Sequence, residues 1–288
     1  MTMSSESERR PTRIAIASGK GGTGKTLIAT NLAAMMSDVT LVDLDVEEPN
    51  CHLFQKAECE APEKAYRPVP EVDEGKCTLC GRCGEVCQFH AIVTLPKEVM
   101  VFSELCHGCG ACSMFCPENA IAEKEHYLGD TISTSGEHFE LLYGRLRVGE
   151  AMPTYLIRQV RGMIPGGADA VLDCPPGTAC ASVESIRGAD LCILVTEPTP
   201  FGFHDLKLAL GVTKKLSVSS AVFINKDGLP GPDIDGFCRD NNIPVIGRLP
   251  LDRDIAERYS RGELLISDAG YRAVFESLRD RILEVPVR

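Results

Sequence analysis

Long apolar runs are missing from this sequence. No stretch approaches the roughly 18 consecutive apolar residues that a bilayer-spanning helix needs, so membrane insertion is not expected. An excess of positive charge is missing as well. Thirty Lys and Arg stand against 41 Asp and Glu, giving a net charge of −11 and a pI near 5.1. That balance argues against nucleic acid as the main ligand, because phosphate-backbone binders present a basic face. The opening MTMSSESERRPT lacks the apolar core of a secretory signal. Residues 1–11 are expected to be a disordered lead-in, and the chain to be cytoplasmic. The histidines are few, six in all, and none forms a Cys/His pair at metal-ligand spacing.

Cysteine is the residue in surplus. Fourteen occur in 288 residues, and eight of them fall between Cys77 and Cys116. A secreted disulfide scaffold is typically short and core-poor. This chain is long and 44% hydrophobic, so thiolates holding a metal in a reduced compartment are the better reading.

The eight form two runs, CTLCGRCGEVCQFHAI (77–92) and CHGCGACSMFCPENAI (106–121), which align with all four cysteines matched. Each is Cys-x2-Cys-x2-Cys-x3-Cys, the spacing of the two-cluster [4Fe–4S] ferredoxins, in which the fourth cysteine serves the other cluster. On that logic Cys77, Cys80, Cys83 and Cys116 hold cluster 1, and Cys106, Cys109, Cys112 and Cys87 hold cluster 2. Structural zinc is disfavoured, since its cysteines come as separated pairs. The first run ends Cys-Gln where the second ends Cys-Pro. The displacement of each fourth cysteine is expected to come from the start of a helix.

Around this block the chain alternates. RIAIAS reads as a strand running into a glycine loop, TLIATNLAAMM as a helix and VTLVDLD as a second strand. After residue 126 a hairpin around Ser135-Gly136 is expected, and the strand–helix rhythm then resumes to the end. The expected fold is α/β: a mostly parallel sheet flanked by helices over residues 12–61 and 127–288. A small α+β, bacterial-ferredoxin-like domain is inserted at 62–126.

Gly19-Lys20-Gly21-Gly22-Thr23-Gly24-Lys25-Thr26 meets the phosphate-loop pattern between strand and helix. Its backbone N–H groups suit phosphate oxygens. Lys25 is expected at the β/γ-phosphates and Thr26 on Mg²⁺.

With Lys20 included, the loop resembles the deviant Walker A motif of the MinD, ParA, Mrp and nitrogenase iron-protein group of ATPases, whose P-loop fold is of the SIMIBI type. The resemblance implies an ATP-bound homodimer in which Lys20 reaches the partner subunit's nucleotide, and a slow, partner-stimulated, Mg-dependent ATPase. It also implies roles for several residues. VDLDVEEPN resembles switch I, with Asp45 orienting the attacking water and Asp43 near Mg²⁺. DCPPG resembles switch II, with Asp173 in the outer shell of the Mg²⁺ and Gly177 near the γ-phosphate. Asn225 in FINKDG would meet the adenine edge, and LPLDRDIA resembles the segment that packs on the base. The whole chain resembles MinD-superfamily ATPases carrying an inserted ferredoxin domain. That implies ATP or ADP, Mg²⁺ and two [4Fe–4S] clusters as cofactors, and an unidentified redox or Fe–S partner. The expected function is nucleotide-coupled electron transfer; the alternative is cluster carriage of the Mrp kind. Cys174 and Cys180 near switch II are expected to be ordinary small buried residues. The C-terminal YRAVFESLRDRILEV is expected to be a sheet-packing helix rather than a membrane-seeking one.

Overall fold

The computed structural model describes residues 12–286, apart from the side chains of residues 58 and 59. The N-terminal lead-in expected over 1–11 lies outside the described residues. In chain order the strands are β1 Arg13–Ala17, β2 Val39–Asp43, β3 Ala57–Cys59, β4 Glu63–Val72, β5 Ile92–Thr94 and β6 Val99–Val101. They continue with β7 Ile121–Gly136, β8 Glu140–Leu146, β9 Asp169–Asp173, β10 Leu191–Thr196, β11 Ser219–Asp227 and β12 Val245–Pro250. The helices are α1 Lys25–Ala33, α2 Arg82–Val86, α3 Ala111–Met114, α4 Pro153–Gly162, α5 Cys180–Ile186, α6 Pro200–Leu216, α7 Ile234–Asp240, α8 Arg253–Ser260 and α9 Ala269–Glu284.

One large sheet runs β12-β11-β10-β1-β9-β2-β8-β7-β3, and β4 also pairs with β7. From β12 to β8 every neighbour is parallel; β7 is antiparallel to β8, β3 and β4. The central strands are buried on both faces, as a parallel sheet between helices requires. Ile14 and Ile16 of β1 join one core, with Leu27, Ile28 and Leu32 of α1 and Phe275, Leu278 and Ile282 of α9. Ala15 and Ala17 face the other core, with Leu156 and Val160 of α4 and Leu206 and Leu210 of α6. The C-terminal helix is thus a sheet-packing helix. Among the described residues no helix is long and apolar enough to cross a membrane.

The hairpin expected after residue 126 is formed by β7 and β8. Its long arm was less visible: β7 runs unbroken from Ile121 to Gly136, across the 126/127 position, and pairs with β4 from Glu63↔Thr131 to Val72↔Ile121. The eight clustered cysteines lie between the ends of this ladder, Cys83 on α2, Cys112 on α3 and the other six in the loops beside these two helices. β4 contains Pro68 and Pro70. Proline cannot donate to a ladder, and β4 pairs on one side alone, which is where such residues are tolerated.

The two cysteine runs fold as copies. Leu79 and Gly108, Gly81 and Gly110, and His90 and Asn119 occupy matching positions, and all six have positive φ. Each short helix contains its run's third cysteine and ends beside the fourth. The expectation that a helix start displaces the fourth cysteine is therefore corrected. Cys87 caps the C-terminal end of α2, and Cys116 lies two residues beyond α3.

Candidate functional site

The loop between β1 and α1 turns on glycines held at positive φ. Gly24 has φ +95°, and a Cβ there would stand 2.3 Å from the Asn225 amide. A Cβ on Gly19 would meet the Asp205 backbone oxygen of α6 at 2.3 Å. Gly22 is also left-handed, with φ +73°, and Gly21 faces open space. Lys25 and Thr26 open α1 and are buried, as is Thr23, whose hydroxyl has no protein partner.

β2 and β9 are neighbours in register, and the pair at their carboxyl ends is Asp43↔Asp173. The Thr26 hydroxyl donates to Asp173 Oδ2 at 2.6 Å, and Asp173 Oδ1 is buried without a partner. Asp43 accepts backbone N–H groups from Asp45, Asn50 and Cys51 at 3.0, 2.8 and 2.9 Å. Burial, then the facing Asp43, pushes Asp173 up to about 7. Burial likewise raises Asp43. Asp45, half-buried, is raised to about 6 by burial and then by Asp43. Two buried carboxylates on paired strands repel each other, and an orphaned oxygen between them suits a cation. Cys51 completes the cluster: its thiol donates to Asp173 Oδ2 at 3.4 Å, and burial holds it well above an ordinary thiol. The ligand atoms of Asp43, Cys51 and Asp173 all lie within 4.8 Å of one another. Sequence reasoning missed Cys51, which nothing in its neighbourhood marks as different from an apolar residue.

Lys20 pairs with the Glu197 carboxylate. Lys226 also holds Glu197, at 2.9 Å, and donates to the Gly22 carbonyl at 3.1 Å. Burial raises Glu197, but the hydrogen bonds from Lys20 and then Lys226 outweigh it and leave the carboxyl below its usual range. Neither Glu197 nor Lys226 was singled out from sequence, although Lys226 stands beside Asn225 in FINKDG. Asn225 is buried, with its Nδ2 donating to the Thr23 carbonyl at 2.7 Å and its Oδ1 accepting the Lys226 N–H at 2.9 Å. It thereby buttresses the phosphate loop. Gly177, at φ +88°, donates its N–H to the Ser18 carbonyl and ties the DCPPG loop to the glycine loop.

Cys174 is fully buried in the second core and raised well above an ordinary thiol, while Cys180 is exposed at the start of α5. The expectation of two buried residues thus holds for Cys174 and is corrected for Cys180.

The eight clustered cysteines line two separate cavities. One is lined by Cys77, Cys80, Cys83 and Cys116. The other is lined by Cys87, Cys106, Cys109 and Cys112. Each cavity therefore takes three cysteines from one run and one from the other. Backbone N–H groups of Ala91, Gly108 and Ala120 approach the sulfurs of Cys87, Cys106 and Cys116 at 3.3, 3.4 and 3.3 Å. Among the described residues no set of three or more cysteines has all its sulfurs within 4.8 Å of one another. The sulfurs surround a space rather than a point, an arrangement suited to a polynuclear cluster and unsuited to a single tetrahedral zinc ion. His107 stacks on Phe89 with ring centroids 3.4 Å apart at the second cavity, and burial, then the Arg67 charge, lowers it.

A glycine phosphate loop on a parallel sheet, with aspartates at neighbouring strand ends, defines a P-loop nucleotide-binding protein. The chain belongs to the family described as the CobQ/CobB/MinD/ParA nucleotide binding domain, which matches residues 14–266. It is 30% identical over 278 residues to an uncharacterized protein of Methanocaldococcus jannaschii, covering 93% of this chain and 94% of that one. It is 23% identical over 275 residues to the iron-sulfur cluster carrier protein of Aquifex aeolicus, covering 88% of this chain and 61% of the carrier. Among solved structures it resembles the septum site-determining protein MinD, complexed with Mg-ADP, from Pyrococcus horikoshii. The TM-score is 0.59 at 19% identity, covering 94% and 96% of the two chains.

Proposed function

We propose that this protein is an ATP-binding and ATP-hydrolysing iron-sulfur protein that couples nucleotide state to electron transfer through two [4Fe–4S] clusters. The observation that carries the reading is the pair of four-cysteine cavities, drawn crosswise from the two runs, on the same sheet as the phosphate loop. Cys77, Cys80, Cys83 and Cys116 would hold one cluster, and Cys87, Cys106, Cys109 and Cys112 the other. Such clusters supply one-electron chemistry at potentials tuned by hydrogen bonds to their sulfurs.

At the nucleotide, the glycine-loop N–H groups and Lys25 would cradle the phosphates. Thr26, Asp43 and Asp173 fit a Mg²⁺, whose charge would satisfy the orphaned Asp173 oxygen. Asp45 would orient the attacking water. Lys20 would leave Glu197 to reach the nucleotide of a second subunit in an ATP-bound homodimer. Hydrolysis then rests on positioning and charge stabilisation. Exposed Met114 and Phe115 beside the fourth cysteine of the second run offer apolar surface for a redox partner protein.

Cluster carriage is the second reading, favoured by the Aquifex aeolicus relative. Against it, Cys192 and Cys238 are buried in the sheet core and offer no surface thiol pair for a bridging cluster.

Anaerobically reconstituted protein tests the proposal. About eight irons per chain with two reversible one-electron EPR signals are expected, and Lys20→Ala or Asp45→Ala should abolish ATP turnover with the iron intact. Rapid transfer of the iron to an apo-acceptor would replace electron transfer by carriage.

A further inference from the structure

Among the described residues, Arg67 of β4 is one of the largest side chains with no solvent exposure. Its guanidinium donates to the Ser103 carbonyl at 3.1 Å from both Nη atoms and to the Cys106 carbonyl. Its Nη2 also donates to Glu150 Oε1 at 3.3 Å, and both side chains of that ion pair are fully buried. Glu150 Oε2 is bonded in turn to His126 Nε2 of β7 at 2.9 Å, and Oε1 accepts the Ala151 N–H. The cation therefore lies on the cysteine side of this network and the carboxylate on the ATPase side. Gly108 is shaped around it, since a Cβ there would meet Arg67 Cγ and the Pro68 oxygen at 3.1 Å.

The first cavity has no equivalent. Its lining includes Arg82, but that residue is exposed, where water screens its charge. A buried charge acts through a low-dielectric interior and is screened far less. A buried ion pair is also poor evidence of a stability role, because an apolar pair of similar volume is often as stable.

Resting on the two-cluster reading above, we infer that Arg67 is a positioning residue that clamps the Cys106 loop to the sheet and makes the second cysteine site the easier of the two to reduce. A site that gains one electron gains one negative charge, and the fixed guanidinium at the Cys106 carbonyl favours that state. Glu150 keeps the guanidinium in place and offsets part of its field. The two residues therefore pull the second site's potential in opposite directions.

The test is a dithionite titration of the anaerobic, cluster-loaded full chain, followed by EPR, with iron content and melting temperature measured alongside. Arg67→Met with Glu150→Gln removes both charges and leaves neither buried alone. It should make the second site at least about tenfold harder to reduce relative to the first, about 59 mV for one electron. Glu150→Gln alone leaves the cation uncompensated and should shift the second site the other way. Should the double variant fail to fold, the single variant still decides. In a Cys87→Ala background, where only the first set is complete, both shifts should vanish. Arg67→Lys keeps the charge without the fork, and should hold the potential while losing iron from the second site more readily.

A variant set that keeps its iron with both potentials unmoved overturns the inference, as do shifts of the same sign in the two variants. Wild-type protein that takes up no pair of clusters overturns the proposed function itself and this inference with it.

Discussion

Asp45 shows what a single buried charge does at this site. Burial and Asp43 raise it to about 6, so the carboxylate proposed to orient the attacking water is lost as pH falls through that value. On the proposed ATPase reading, kcat/KM for ATP is expected to rise with pH through about 6; a profile flat from pH 5 to 8 would remove Asp45 from the step. Because the folded chain holds this proton more tightly than the unfolded chain, stability falls as pH rises from the ordinary carboxylate range towards 6. Asp45→Asn should flatten that slope in denaturant titrations at a series of pH values. The motif residues were legible in sequence because they are contiguous: a glycine loop ending Lys-Thr fixes its own geometry. Glu197, Cys51 and Arg67 were not, because their partners lie far along the chain, 177 residues away for Lys20 and Glu197.

Elements carry the next set of consequences. Thr199 caps α6, its hydroxyl accepting the Gly202 N–H at 3.0 Å and donating to Glu197 Oε1 at 3.2 Å. Thr199→Ala should lower stability by about 1 kcal/mol, read from the denaturant midpoint, and loosen the carboxylate that holds Lys20. The paired cysteine runs make a sharper claim. Cys116 belongs to the second run but lines the first cavity, so Cys116→Ala should remove the first cluster and leave about half the iron. Cys87→Ala should remove the other EPR signal; loss of the signal of its own run instead would break the crossed assignment. Spacing alone pointed to the same crossed sets of cysteines that line the two cavities. The helices between the cysteines were misjudged because a turn of four or five residues has no periodicity to detect. β4 was hidden for a different reason: EKAYRPVPEV carries two prolines and no alternation, and only its edge position makes it a strand.

At the scale of the whole molecule, the parallel sheet was legible because its strands are short apolar runs separated by helical patterns. The attachment of the cysteine segment was not. Composition placed the change at residues 62 and 126, whereas β4 and β7 pair across the sheet edge until Val72 faces Ile121. Asp73 adds one more rung, its N–H donating to the Ala120 carbonyl at 2.7 Å. Replacing residues 73–120 by Asn-Gly, a pair that closes a two-residue hairpin, should give a chain that folds and binds nucleotide but takes up no iron. Circular dichroism, nucleotide binding and iron content check it. A variant that fails to fold would mean that the cysteine segment shares in the stability of the sheet.

The sixteen residues of β7 also set a mechanical relation. An unbroken strand of that length measures about 50 Å, with its β8-paired half inside the sheet and its far end, Ile121, in the wall of the first cysteine cavity. It is a lever arm with its fulcrum at the β7–β8 ladder. A small rotation at the fulcrum becomes a displacement of the tip several times larger. Under the proposed function the remote cavity would be the point of greatest travel, and the one whose distance to a docked redox partner would change most.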